Sequence, residues 1–349
     1  MKCLIYSDVH WSVTSSIVNG RGKNYSIRLE HLIDGMNWIN ELAKSKDCEI
    51  TICAGDFFHR PNINDEELTA LREINWDNDI THYFICGNHE SSVVGLNYNT
   101  VVALSDKNRK IIYRPTSISF DNAQFHFIPY IVESDRKSLD NYIENKDASK
   151  KQIIISHNDI SGIQYGGFES VDGFSIKEIN DSCDLFLNGH LHNSEWISNK
   201  ILNVGSFSGH NFTNDSSKYV YGAWILDTND LSMTQVENPF GFNFYKYSIM
   251  KESDLELLSR CKSNSIISVS CEENLLEKCK ESISLNNNIL NNRITVLKSC
   301  IASADESSTS SVDSILRDGN YIKKFKQFCL ENINNTDVLL SELSYLCQE

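Results

Sequence analysis

Short apolar runs, each ending abruptly in polar residues, recur along the chain: CLIYS (3–7), ITICA (50–54), HYFIC (82–86), QIIIS (152–156) and CDLFLN (183–188). Continuous apolar runs of this length suit strands buried on both faces of a sheet. Between the first two, Leu29, Leu32, Ile33, Met36, Ile39 and Leu42 recur at helical spacing, with Ser26 placed as an N-cap. A second set alternates apolar and polar positions: SISF (117–120), QFHFIP (124–129), ILNVG (201–205) and YVYGAWILD (219–227). Alternation predicts antiparallel strands with one face exposed. Two sheets packed face to face with helices outside, a four-layer αββα α/β sandwich, is the economical architecture for residues 1–238.

The texture changes after Asn238-Pro239. Residues 239–300 read as β-α-β-α-β, a small α/β domain. Residues 301–314 are Ser-rich, acidic and poor in large apolar residues, the composition of a linker. Residues 315–349 read as one or two amphipathic helices. No apolar run approaches the ~20 residues of a membrane span, and the N-terminal run meets Asp8 too soon for a secretory signal. Eleven cysteines without a Cys-x-x-Cys pair argue against a disulfide framework and for a cytoplasmic protein with reduced thiols. A net charge of −15 means that bulk electrostatics repel nucleic acid. Binding to DNA would need local basic patches, metal cations or a basic partner.

Polar residues gather where the apolar runs end. The first ends in Asp8-Val9-His10 and the second in Gly55-Asp56-Phe57-Phe58-His59. The third ends in Gly87-Asn88-His89-Glu90, the fourth in His157 and the fifth in Gly189-His190-Leu191-His192. In open α/β sheets, ligands sit outside the carboxyl ends of the strands. Six of the chain's ten histidines therefore come to one rim, with Asp8, Asp56 and Asn88. Imidazole and carboxylate suit Mn²⁺, Fe²⁺ or Zn²⁺, and no thiolate accompanies them. The donors are too many for one ion, and an aspartate bridging two ions accounts for the excess. Two ions about 3.5–4 Å apart clamp a phosphoryl group and acidify a shared water. The glycines before Asp56, Asn88 and His190 are expected to let the backbone turn sharply. A single Asp-x-His is ordinarily a pair of half-buried polar residues; five such elements in order make metal chemistry the better reading.

Taken together, these elements resemble the calcineurin-like metallophosphoesterase signature over most of residues 1–240. The resemblance implies that Asp8, His10, Asp56 and His192 hold one ion, and that Asp56, Asn88, His157 and His190 hold the other. It places His89 facing the substrate, protonating the leaving oxygen or stabilising the transition state, with His59 steering His89. Protein phosphatases of the superfamily carry Gly-Asp-x-x-Asp-Arg-Gly where this chain has GDFFHRP (55–61). His59, with GNHE (87–90), FIPYI (127–131) and NVGS (203–206), is more similar to the SbcD-type DNA nucleases. That group includes nuclease subunits of phage recombination complexes. Gly205-Ser206-Phe207 departs from its usual Gly-Ser-Pro. The resemblance implies an exonuclease and endonuclease subunit for DNA end processing, recombination and repair, with two divalent ions, manganese expected. It further implies that residues 239–300 cap the site, that residues 315–349 grip the coiled coil of an SMC-like ATPase of SbcC type, and that the chain forms a homodimer.

Weaker signals have two readings each. Arg21, Lys23 and Arg28 lie in a loop of glycines and asparagines beside the first motif, and either contact DNA phosphates or are incidentally charged. Glu90 either orients an imidazole by hydrogen bonding or is an idle surface carboxylate, and His31 reads as a surface residue. His126 should face away from the Phe125 and Phe127 core, and His210 is a loop histidine of unassigned use. Tyr321, Phe325 and Phe328 share a helical face with lysines beside it, fit for a partner's coiled coil or for the chain's own surface. Two rival functions remain: a phosphoesterase of nucleotide or phosphoprotein substrates, and a non-catalytic scaffold of the same complex.

Overall fold

Alternation along each strand assigns its side chains to two different cores. Cys3 and Ile5 of the Lys2–Tyr6 strand point to one side, Leu4 and Tyr6 to the other, and both sides are buried. The computed structural model describes residues 1–297, apart from 14–17, 19, 92–98, 166–167 and 213–215. The expected linker and terminal helices lie outside the described residues.

The first sheet has six strands in the order Ser232–Glu237, Gly222–Asp227, Lys2–Tyr6, Ile50–Cys53, Thr81–Ile85, Arg109–Ile112. The last four are mutually parallel, and Gly222–Asp227 pairs antiparallel to both of its neighbours. The second sheet runs Glu195–Trp196, Ile201–Asn203, Leu185–Asn188, Lys151–Ser156, Ala123–Ile128, Thr116–Ser119, parallel in its four central strands. The sheets meet face to face through Ile5, Ile52, Ile85, Phe127, Ile153, Ile155, Leu187 and Trp224. On the outer face of the first sheet, the Ile27–Ser45 helix buries Leu29, Leu32, Met36 and Ile39 against Leu4 and Tyr6. Ser26 caps it, its hydroxyl accepting from the Leu29 N–H. The Ile176–Ser182 helix covers the outer face of the second sheet through Ile179, beside Ile154 and Phe186. The architecture is the four-layer αββα sandwich.

Two predicted strands behave differently: Ile201–Asn203 is buried throughout and runs parallel to Leu185–Asn188, antiparallel only to Glu195–Trp196. Ala123–Ile128 is buried at every position and runs parallel to Lys151–Ser156, where alternation predicts an exposed polar face. His126 does face away from Phe125 and Phe127, yet it is buried. Its Nδ1 lies 2.7 Å from Ser117 Oγ and its Nε2 lies 2.9 Å from Gln152 Oε1. Polar side chains that satisfy one another tolerate burial, so alternation alone overstates exposure.

Residues 243–297 form a separate three-stranded parallel sheet, Asn243–Ile249, Ser265–Glu272 and Ile289–Leu297, with the short Glu256–Ser259 and Leu276–Ser284 helices between the strands. Its core holds Ile249, Leu258, Ile267, Val269, Cys279 and Ile283. Phe242, Phe244 and Ile266 instead join Val18 and Phe212 of the larger sandwich.

Phe127 is fully buried between the sheets, its ring stacked on Tyr83 at 5.3 Å. Phe127→Ala should therefore lower unfolding free energy by about 3–5 kcal/mol, read from urea denaturation.

Candidate metal centre

The parallel strands leave their sheets at a common rim, and the loops that follow are zipped together by backbone hydrogen bonds. Asp8 N–H donates to Gly55 O (3.1 Å), His10 N–H to Asp56 O (3.0 Å) and Trp11 N–H to Phe57 O (2.7 Å). Gly189 N–H donates to Ser156 O, and Ser206 N–H to His192 O. Four polar residues of these loops take left-handed backbone conformations: Asp8, His10, Asp56 and His190, with φ of 53°, 50°, 51° and 74°. Such conformations cost about 1–3 kcal/mol each and cluster where a site demands them. Of the three glycines expected to serve sharp turns, Gly55 has φ of +104°. Gly87 and Gly189 serve close approach instead. A Cβ on Gly87 would sit 2.1 Å from Asp56 Oδ1, and one on Gly189 2.2 Å from Ala54 O.

All seven residues expected to hold metal meet at this rim. Nitrogen and oxygen atoms of Asp8, His10 and His192 lie within 4.8 Å of one another, as do those of Asp8, Asp56 and His157. His10 Nε2 is 3.0 Å from His192 Nε2. Asn88 Oδ1 is 3.1 Å from both His157 Nε2 and His190 Nδ1. The far side of each ring is fixed in turn: His157 Nδ1 is 2.7 Å from Ala54 O, and His190 Nε2 is 3.3 Å from Asp159 Oδ1. Outer partners of this kind set the tautomer of a metal-binding imidazole. Asp159, two residues beyond His157, was not among the sequence candidates.

The donor set fits divalent cations. Asp8 is fully buried, and neither of its carboxylate oxygens has a hydrogen-bond partner. A buried carboxylate left so is costly unless a cation meets it. Burial alone would lower the His157 pKa, but the adjoining Asp56 carboxylate, by charge and hydrogen bond, raises it to about 10. The carboxylates thus draw positive charge onto the nearest group able to carry it.

His89 and His59 lie beside this set. His89 N–H donates to Asp56 Oδ1 (2.9 Å), and its ring Nδ1 is 2.7 Å from the His59 carbonyl oxygen. The two rings stack at 5.3 Å. Burial, with His89, Arg28 and Arg60 nearby, lowers the His59 pKa to about 4. His210 joins the group, its ring stacked on His10 at 4.7 Å and 5.1 Å from that of His59. It lies four residues beyond the NVGS stretch, and that proximity was the one sequence signal for this role. Arg28 is not in a surface loop but in the first turn of the Ile27–Ser45 helix, buried, its Nη2 donating to His10 O (3.1 Å) and 3.4 Å from His210 Nδ1. Arg21 lies apart, paired with Glu66 at 2.6 Å, and Lys23 is exposed.

Glu90 differs most from its expectation as a surface carboxylate. It is fully buried, Oε2 accepting from Gly87 N–H (2.6 Å) and Asp56 N–H (3.2 Å), and Oε1 from Phe58 N–H (2.8 Å). One side chain therefore latches the loop of Asp56 to the loop of Asn88. Burial, then repulsion from Asp56, pushes its pKa up to about 8.

The profile of the calcineurin-like phosphoesterase family matches residues 1–194. Exonuclease subunit 1 of Enterobacteria phage T4 is 28% identical over 146 residues, 40% of this chain and 42% of that protein. The chain thus matches less than half the length of that relative. A novel archaeal phosphodiesterase is similar in structure at 14% identity, covering 68% of this chain and 99% of that one with a TM-score of 0.35. A dimetal phosphatase from Danio rerio is similar at 10% identity, covering 64% and 91%, with a TM-score of 0.37.

Glu90→Gln leaves one oxygen for three N–H donors. It should weaken Mn²⁺ affinity about 10–100-fold by calorimetry, as loss of an outer partner does; unaltered affinity would show that the latch is dispensable.

Proposed function

The chain belongs to the calcineurin-like phosphoesterase family, and from that premise we propose that it cleaves DNA phosphodiesters with two divalent ions, manganese being the expected metal. Members of this family are metal-dependent phosphoester hydrolases. The observation that carries the proposal is Asp8, buried without a hydrogen-bond partner between the His10–His192 pair and the Asp56–His157 pair. Asp8, His10, Asp56 and His192 would hold one ion, and Asp56, Asn88, His157 and His190 the other. When bound, the ions supply charge neutralisation at the phosphate and an activated water.

The remaining work falls to the chain's own groups. His89 Nδ1–H donates a hydrogen bond to the His59 carbonyl, which leaves Nε2 as the ring nitrogen free to exchange a proton with the reaction, the imidazolium form serving as the acid. That proton passes to the leaving oxygen as the P–O bond breaks. The main chain of His59, rather than its imidazole, orients His89. Arg28 holds the His10 carbonyl and so fixes the strained turn from which that ring projects.

DNA as substrate is supported by the similarity to a phage exonuclease subunit and by the sequence likeness to SbcD-type nucleases. The word subunit in that relative's name supports a complex. We assign the partner as an SMC-like coiled-coil ATPase engaged by residues 315–349, with the small unit of residues 239–300 capping the site and the chain acting as a homodimer.

Purified protein should cleave labelled oligonucleotides with Mn²⁺ and lose all activity in EDTA. His89→Gln should lower kcat by about 10²–10⁴-fold while calorimetry shows Mn²⁺ binding retained. Hydrolysis of bis(p-nitrophenyl) phosphate with no DNA cleavage, even with the ATPase present, would overturn the nuclease reading and favour a small-substrate phosphoesterase.

A further inference from the structure

An open groove of about 990 Å³ begins where both loops of the candidate centre end. Pro61 and Asn62, just beyond His59, and Ser91, just beyond His89, form its near wall. Its far wall is the edge strand Arg109–Ile112 of the first sheet and the turn after it, contributing Lys110, Tyr113 and Arg114. We propose that this groove holds a single nucleic-acid strand running out of the catalytic centre, which rests on the nuclease reading above and extends it.

Three observations select that occupant. First, charge: the chain carries −15 overall, yet the groove presents Arg109, Lys110 and Arg114 against a lone acidic residue, Asp106. Asp106 is already paired with Arg109 at 2.9 Å. Lys110 and Arg114 are exposed and available to phosphates spaced along a backbone. Second, a stacking surface: Tyr113 is 38% exposed, a large apolar ring held in water, and the Arg114 guanidinium lies over it at 4.7 Å. Aromatic and guanidinium planes beside a cationic groove are the means by which bases of a single strand are held without sequence preference. Third, size: small-ligand sites run to about 1,000 Å³. A groove at that limit, open along its length, exceeds what one nucleotide fills.

The experiment uses the full chain and a fluorescently labelled single strand. Anisotropy gives affinity without turnover, and cleavage with Mn²⁺ is compared with hydrolysis of bis(p-nitrophenyl) phosphate, which has no strand to place in the groove. Lys110→Glu with Arg114→Glu should weaken strand affinity at least about tenfold and flatten the log–log salt dependence by about 1.4, the value for two lost phosphate contacts. The ratio of kcat/KM for the strand to that for the small diester should fall by a similar factor. Tyr113→Ala should weaken affinity with the salt dependence kept, since stacking carries no counterion. Lys177→Glu, on the exposed face of the Ile176–Ser182 helix, should change neither quantity. Strand binding and cleavage that are normal in the double variant would overturn the groove and leave the nuclease reading standing. A wild-type chain that neither binds nor cleaves the strand would overturn both. Binding of an acidic peptide by the same residues, with strand affinity unaffected by their reversal, would assign the groove to a protein partner instead.

Discussion

Two aspartates withdrawn from water govern this structure. Asp8 and Asp56 are buried within one rim, and the fully buried Glu90 lies just behind them. Three carboxylates in so small and dry a volume repel one another, and each is compensated differently. Glu90 is surrounded by backbone N–H donors from two loops. Asp56 has a backbone donor in His89 and a cationic neighbour in His157 at 3.3 Å. Asp8 has no hydrogen-bond donor at all; the His10 and His192 ring nitrogens stand 3.9 and 3.8 Å from its Oδ1, a donor set that a divalent cation would complete. Metal binding to such a site carries folding free energy as well as chemistry, because the unfolded chain offers no comparable pocket.

The sandwich exists, in functional terms, to hold that arrangement still. Parallel strands of two facing sheets release their loops on one side, and side chains fixed by rigid elements are positioned more closely than those on independent loops. The left-handed turns at Asp8, His10 and Asp56 are pinned by the inter-loop hydrogen bonds and by the Glu90 latch. The smaller sheet contributes as well. Phe244 packs against Phe212, two residues from His210, and the Phe240 carbonyl lies 3.1 Å from His31 Nδ1. His210 therefore stands on a loop that both parts of the described chain constrain.

Much of this was legible from residue order. Apolar runs ending in Asp, Asn or His identified the rim and the seven residues expected to hold metal, which the fold brings together there, because a strand's carboxyl end is a topological landmark that sequence preserves. What stayed hidden depended on the third dimension. Glu90 looked like a solvent-facing carboxylate because nothing local indicates that Gly87, Asp56 and Phe58 will surround it. Arg28 looked like part of a basic loop, since the start of the helix one residue earlier is visible only as a cap. Asp159 and His210 act through rings contributed from distant segments, and no spacing rule connects them. His126 was judged by alternation, and its burial followed from Ser117 and Gln152, which pair with it from neighbouring strands.

The acidity of the chain follows from the same logic. On the proposed function, a protein that admits a polyanion while carrying −15 cannot attract it from every direction, and at physiological ionic strength charges beyond about 8 Å are largely screened. What matters is then the local field near the reaction. On the proposed function, cations held by Asp8 and Asp56 would reverse the sign of the rim, and Lys110 and Arg114 would continue that reversed potential outward along one edge of the first sheet. A strand would then meet net repulsion from the chain as a whole and attraction along this edge, so that a generally acidic chain would direct its substrate by exclusion as much as by attraction.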